Sequence, residues 1–219
     1  EKDAGDEQQR CRGLFDLYSR SCGPYRARLG HQVVLVSKLA EIAAKVANAT
    51  EDRDALLRRE LENIVLPRSF QLPLSPFMVC RGVDVAKCRV LTSARKPLYL
   101  TFRNAVSDGP AHVVIFKTGD DLRQDQLTLQ IIRCMDALWQ DAGLDLRMSP
   151  YGCVATAKDQ GFVEVVPHAA TLAAITRHER FNRARPTLRV SRKLRAAREA
   201  YYGKRSLRTW IEREARAFA

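Results

Sequence analysis

Lys117 closes the apolar run "HVVIF" at 112–116, and carboxylates follow it at Asp120, Asp121 and Asp125. A lysine at the inner end of a strand can hold a nucleotide phosphate. An acid one or two helical turns into the next element can then hold that lysine in place, which is how phosphoryl transfer by positioning and charge is arranged. The same residue types also make a surface ion pair worth under ~1 kcal/mol. Spacing alone leaves both readings open.

Three kinds of element are needed to place these side chains. "AHVVIFK" and "AKCRVLTSARKPLYLTFRN" have the β-branched and aromatic content of strands, and "NAVSDGP" between them turns at its Asp-Gly-Pro. Asp120 or Asp121 can cap a helix in which Leu122, Leu127, Ile131, Met135 and Leu138 recur every three to five residues, with Gly143 as its stop. "YGCVATAKDQGFVEVVP" reads as two strands about a turn at 158–161. Upstream, Val36, Leu39, Ile42, Ala43 and Val46 fall at helical spacing within 33–49. A second helix opens at Glu51, Asp52 and Arg53, runs to Val65 and stops at Pro67. The proline-rich stretch 70–76 denies both helix and central strand, so a domain boundary is expected there. "HAATLAAI" and the basic remainder read as helices, interrupted at Pro186 and Gly203.

These elements predict an α+β fold: an antiparallel sheet with one helix, preceded by helices and followed by a further helical segment. Strand, lysine, helix with an early acid, then a hairpin ending in Pro167 is the order of a kinase-like small lobe.

Composition bounds the alternatives. The chain has 219 residues, 46% of them hydrophobic, enough to bury a sizeable core. Its apolar runs, such as "VVLV", reach only four or five residues, far below the ~20 that span a bilayer. The opening "EKDAGDEQQR" lacks the apolar core of a signal peptide, which points to a cytoplasmic protein. Six cysteines form no CxxC pair and four histidines no HxxxH pair, which argues against zinc. Cys134 and Cys153 lie in apolar patterns and are expected as buried free thiols. The charge is localised: residues 177–216 hold fourteen Lys and Arg against four Glu, ten of the formal +12. Such a block suits a polyanionic partner, either lipid headgroups or nucleic acid, or else a solvated helix face. Without interleaved aromatics it does not read as an RNA-stacking surface.

"FKTGDDLRQDQLTLQII" resembles, almost position for position, the signature of the phosphoinositide 3-kinases and their relatives. "CRVLTSARKPLYLTF", "LDLRMSPYGCVAT" and "GFVEVVPHAATLAAI" resemble the family's phosphate loop, inner strands and hinge, in the same order. "LFDLYSRSCGPYRARLGHQVVLVSKLAEIA" looks like the last helices of its helical domain and, with "ARKPLYL", favours the class I enzymes. "GKRSLRTWIERE" is similar to the segment before the catalytic loop.

The resemblance implies a helical-domain end at 1–70, a kinase small lobe at 71–166 and the start of a truncated large lobe at 167–219. Ser93 and Arg95, in a phosphate loop without glycine, would meet the ATP phosphates. Lys117 would contact the α-phosphate, with Asp125 and Tyr151 lining the inner pocket and orienting it; Lys117 and Asp125 are the expected catalytic pair. Glu164 and Val166 would offer backbone C=O and N–H groups to adenine, between apolar walls from Tyr99, Ile115 and Val163. The family's Asp-Arg-His triplet, its metal-binding Asn and its Asp-Phe-Gly are absent from these 219 residues. A fragment is thus implied, inactive by itself, of a phosphatidylinositol 3-kinase that uses ATP and Mg2+ on a membrane phosphoinositide. The parent would be cytoplasmic and peripheral at membranes, with a regulatory subunit as a further partner and no nucleic acid. Two other classes stay open: a non-catalytic kinase-like binding or scaffold protein, and a basic nucleic-acid-binding protein.

Overall fold

Leu35, Leu39, Ile42, Ala43 and Val46 form one stripe at i, i+4, i+7, i+8 and i+11, and this stripe is the buried side of α2 (Tyr25–Asn48). The computed structural model describes residues 2–50, 52–167 and 169; the expected helix over "HAATLAAI" and the basic block 177–216 fall outside the described residues. Before α2 lies α1 (Lys2–Ser21), whose Leu14, Phe15, Leu17 and Tyr18 are exposed. After it comes α3 (Arg53–Glu62), shorter than the expected run to Val65; within the expected opening it is Asp52 that caps it, accepting from the N–H groups of Asp54 and Ala55 at 3.0 and 3.2 Å.

Seven strands follow: β1 (Phe70–Gln71), β2 (Val79–Val83), β3 (Arg89–Val90), β4 (Leu98–Asn104), β5 (His112–Thr118), β6 (Cys153–Ala157) and β7 (Gln160–Glu164). A 3-10 turn, Val85–Lys87, joins β2 to β3. The sheet is antiparallel throughout, in the order β1-β2-β4-β5-β7-β6, with β3 pairing β4 at Leu98 and Tyr99. The helix α4 (Arg123–Asp141) connects β5 to β6. This is the expected α+β class. The turn between β6 and β7 is tighter than predicted, because Gln160 and Gly161 already pair with β5 and β6.

Period-two alternation sorts the sheet's residues. Leu98, Leu100 and Phe102 of β4, Val114 and Phe116 of β5 and Phe162 of β7 are fully buried, and they share one core with Leu35, Leu39, Val46, Leu57 and Leu61 from the helices. Fully burying each such side chain is worth about 1.5–3 kcal/mol. Phe116 and Phe162 meet at 4.9 Å between ring centroids, and Phe70 meets Phe102 edge-on at 5.9 Å. Helices α2 and α3 and the sheet share one core across residue 70, so the stretch 70–76, where a domain boundary is expected from the prolines, lies inside one compact unit. Chain packing defines two compact units, Glu1–Val165 and Val166–Ala219; of the second, only Val166, Pro167 and Ala169 are described.

Two expectations about α4 need correction. Of Leu122, Leu127, Ile131, Met135 and Leu138, which recur along this helix, Leu122 is buried and the other four are exposed, and so is Cys134. Leu122 and Leu129 are the side chains buried at this helix, and Gln126 beside them receives a hydrogen bond from Ala155 N–H at 3.2 Å. The helix carries two apolar stripes, and β6 covers the one that contains a polar residue able to bond its strand edge. Cys153, the other expected buried thiol, is half-buried.

Candidate functional site

The sheet face opposite the core carries the residues singled out by their chemistry. Tyr99 stands opposite Ile115, Ile115 opposite Val163 and Val163 opposite Cys153, so one row of side chains crosses β4, β5, β7 and β6. Tyr99, Ile115 and Val163 are each half-buried. Arg89 covers one face of the Tyr99 ring, its guanidinium carbon 3.8 Å from the centroid, and fixes the ring at the end of the row. Lys117 lies two residues beyond Ile115 on the same face, opposite Gly161. That position admits only glycine: a Cβ there would run into the Val154 carbonyl and approach Leu122 Cδ1 to 2.9 Å.

Three turns meet at the Lys117 end. The loop 91–97 between β3 and β4 closes on itself, with Leu91 N–H donating to Pro97 C=O at 2.9 Å and Lys96 N–H to Ser93 C=O at 3.2 Å. Ser93 and Arg95 are both exposed on it. The turn after β5 is tied to the β6–β7 turn by Gly119 N–H donating to Asp159 C=O at 2.7 Å. Gly119 has φ +82°, a left-handed conformation that costs glycine nothing, and the Arg95 side chain lies across it: an added Cβ would sit 3.3 Å from Arg95 Cδ and Nη1.

The carboxylate beside Lys117 is Asp120, at 4.0 Å, and the same carboxylate lies 3.9 Å from Arg95 Nε. Asp120 was read from the sequence only as a helix cap. Among the described residues no ion pair joins Lys117 to Asp125, and no hydrogen bond joins Lys117 to Tyr151. Asp125 is exposed in the first turn of α4, and Tyr151 is held through its C=O by Arg133 at 3.1 Å. Both acids of the turn are nonetheless distinct in role. Asp121 accepts from Arg123 Nε and Nη2 at 2.8 and 2.6 Å and from Arg123 N–H at 3.1 Å, starting the helix. The Arg123 guanidinium holds the Asp121 carboxyl down at about 2.

Cys153 lies within electrostatic reach of Lys117, Asp125 and Arg133: burial and then Asp125 push its thiol up, while Lys117 and Arg133 pull it down.

At the far end of β7 two backbone hydrogen bonds fix the chain. Glu164 N–H donates to Gly152 C=O at 2.7 Å, and Val165 N–H donates to Val113 C=O at 3.1 Å. The Glu164 carboxylate also accepts from Gly152 N–H at 2.7 Å, pinning the segment that precedes β6, a role the sequence reading did not assign. Val166 opens the second compact unit.

Residues 112–215 match a family described as phosphatidylinositol 3- and 4-kinase. The chain is 42% identical over 166 residues to a protein named phosphatidylinositol 3-kinase 2 of Dictyostelium discoideum, covering 75% of this chain and 9% of that protein. It is 41% identical over 167 residues to phosphatidylinositol 3-kinase 1 of the same organism, covering 76% of this chain and 11% of that protein. It is 44% identical over 155 residues to the phosphatidylinositol 3-kinase C2 domain-containing subunit gamma of Rattus norvegicus, covering 68% and 10%. The chain thus spans about a tenth of the length of the curated relatives it matches.

Proposed function

Because the chain belongs to the phosphatidylinositol 3- and 4-kinase family, we propose that it is the part of a phosphatidylinositol 3-kinase that holds ATP while its γ-phosphoryl group passes to a hydroxyl of a membrane phosphoinositide, leaving ADP. The observation that carries this reading is the shared sheet face: Tyr99, Ile115 and Val163 form an apolar row, and Lys117 stands at its end, facing the same Asp120 carboxylate as Arg95 of the loop 91–97. An aromatic base suits the row, and phosphates suit the two cations.

In this reading the chain's own residues bind and orient. Lys117 and Arg95 neutralise phosphate charge, Ser93 offers a hydroxyl from the loop, and Glu164 and Val166 offer backbone groups to the adenine edge, each bond worth about 1 kcal/mol net. Tyr151 and Asp125 border the inner pocket. Among the described residues no three His, Cys, Asp or Glu side chains gather as metal ligands. Magnesium ligands and the group that handles the attacking hydroxyl's proton are assigned to the family's Asp-Arg-His and Asp-Phe-Gly motifs, which these 219 residues do not contain. The 1–219 segment is accordingly proposed to bind nucleotide without turning it over. No helix among the described residues is long and apolar enough to cross a membrane, and the proposed membrane association is peripheral, through anionic headgroups meeting the basic block 177–216.

Titration of the chain with ATP, alongside Lys117→Met, tests this. The variant is expected to lose about tenfold or more in affinity, the worth of a bond to a charged group, with its thermal unfolding nearly unchanged. The same substitution in the intact parent should abolish lipid phosphorylation, and wild-type turnover there would remove Lys117 from the site.

A further inference from the structure

We propose that Asp120 is a built-in competitor of the nucleotide phosphates, a carboxylate that bridges Arg95 and Lys117 and must give way when a phosphate engages either cation. This rests on the phosphate-binding reading above, and it assigns a role to a residue that reading does not use.

The geometry favours Asp120 over its neighbours. Asp121 is committed to Arg123 by two side-chain hydrogen bonds, and Asp125 reaches neither cation. Asp120 lies 3.9 Å from one cation on the loop 91–97 and 4.0 Å from another at the end of β5. It therefore ties the phosphate loop to the strand by charge. Both separations exceed hydrogen-bond length, and all three side chains are partly exposed, 64% for Arg95, 41% for Asp120 and 30% for Lys117. Such a tether is weak. A nucleotide phosphate carries more negative charge than one carboxylate and can bond directly to both cations, so it can displace the tether.

The surrounding backbone keeps the arrangement in place. Gly119 lets Arg95 lie across the turn, and its N–H anchors that turn to Asp159 at 2.7 Å, so Asp120 is presented from a fixed base to a loop that reaches it through Arg95. Exchange of carboxylate for phosphate moves the loop's partner without moving the turn.

Asp120→Asn removes the competitor and nearly keeps its shape. In the 219-residue chain at low salt, ATP and inorganic tripolyphosphate are expected to bind about three- to fivefold more tightly to the variant, the size of one exposed ion pair. The gain should fade at high salt. Adenosine, which has no phosphate, should bind both proteins alike. Asp108→Asn, at the other end of the β4–β5 hairpin, changes net charge equally and should give at most a small part of the gain. Without any ligand, amide exchange at Leu91 and Lys96 should quicken in Asp120→Asn, since the loop has lost its tether. Unchanged exchange together with equal or weaker tripolyphosphate binding overturns the proposal. Faster exchange and tighter tripolyphosphate binding, with no binding of ATP beyond that of tripolyphosphate, upholds Asp120 as the competitor and removes the adenine reading instead.

Discussion

Asp54 on α3 accepts a hydrogen bond from the backbone N–H of Val90 at 2.7 Å, which fastens a helix to the strand that leads into the loop 91–97. The bond is charge-assisted and half-buried, and it spans 36 residues of sequence. It makes the helical segment part of the site's foundation.

Asp54→Ala leaves the Val90 amide without its partner, and the expected loss is about 1–3 kcal/mol of stability. Urea unfolding of the 219-residue chain measures it. Asp54→Asn, which keeps an acceptor without the charge, should recover part of the loss. Equal stability of the alanine variant and the parent would mean that water replaces the carboxylate at no cost.

Gly161→Ala forces a Cβ into the Val154 carbonyl and against Leu122. The β5–β7–β6 ladder or the start of α4 must shift, costing about 1–3 kcal/mol as overpacking does. Circular dichroism melts should register the loss, and chemical shifts at Lys117, Ala155 and Leu122 should move together. A variant with parental stability would show that the two strands separate easily here.

Asp121 supplies a pH dependence. Its folded carboxyl is held at about 2 by Arg123, below the ordinary 3.8. The unfolded chain binds this proton first as pH falls, so the stabilisation is complete above about pH 4 and is lost as pH drops toward 2. Carboxyl titration by NMR should place Asp121 near 2 in the parent and closer to its ordinary value in Arg123→Gln.

The thiols report the packing. Cys80 and Cys88 are buried, and burial pushes the Cys80 thiol up to about 12, so alkylation at neutral pH should mark Cys11 and Cys134 first and leave Cys80 and Cys88 until the chain unfolds. Because the folded Cys80 pKa lies above its ordinary 9.0, its contribution to stability is complete below about pH 9 and is lost as pH rises toward 12. Rapid labelling of Cys80 in the native chain would contradict the sheet order, which places it on β2 against β4.

Much of the site was legible because a strand's period is two. Once "YLTF" and "HVVIFK" are read as strands, Tyr99 must share a face with Thr101, and Ile115 must share one with Lys117. The opening of α3 and the buried stripe of α2, in which Leu35 takes the first place expected of Val36, were likewise local, set by residues within a few positions of one another. Reading 91–97 as a glycine-free phosphate loop and Glu164 and Val166 as a hinge rests on likeness in ordered blocks, since no single spacing rule marks them.

What tertiary structure alone decided were choices between near-equals. A helix with apolar residues on two stripes can bury either, and β6 selected the Leu122–Leu129 side because Gln126 there meets Ala155 N–H. That left Cys134 in solvent. An acid-rich turn offers three carboxylates to one lysine. Arg123 took Asp121 and the helix carried Asp125 away, so Asp120 stood between Lys117 and Arg95, a residue 25 positions earlier that only the folding of the sheet brings to the same place. Sequence period fixes which face a side chain occupies. Which of several similar charges ends nearest depends on ångström differences in how loops from distant parts of the chain meet.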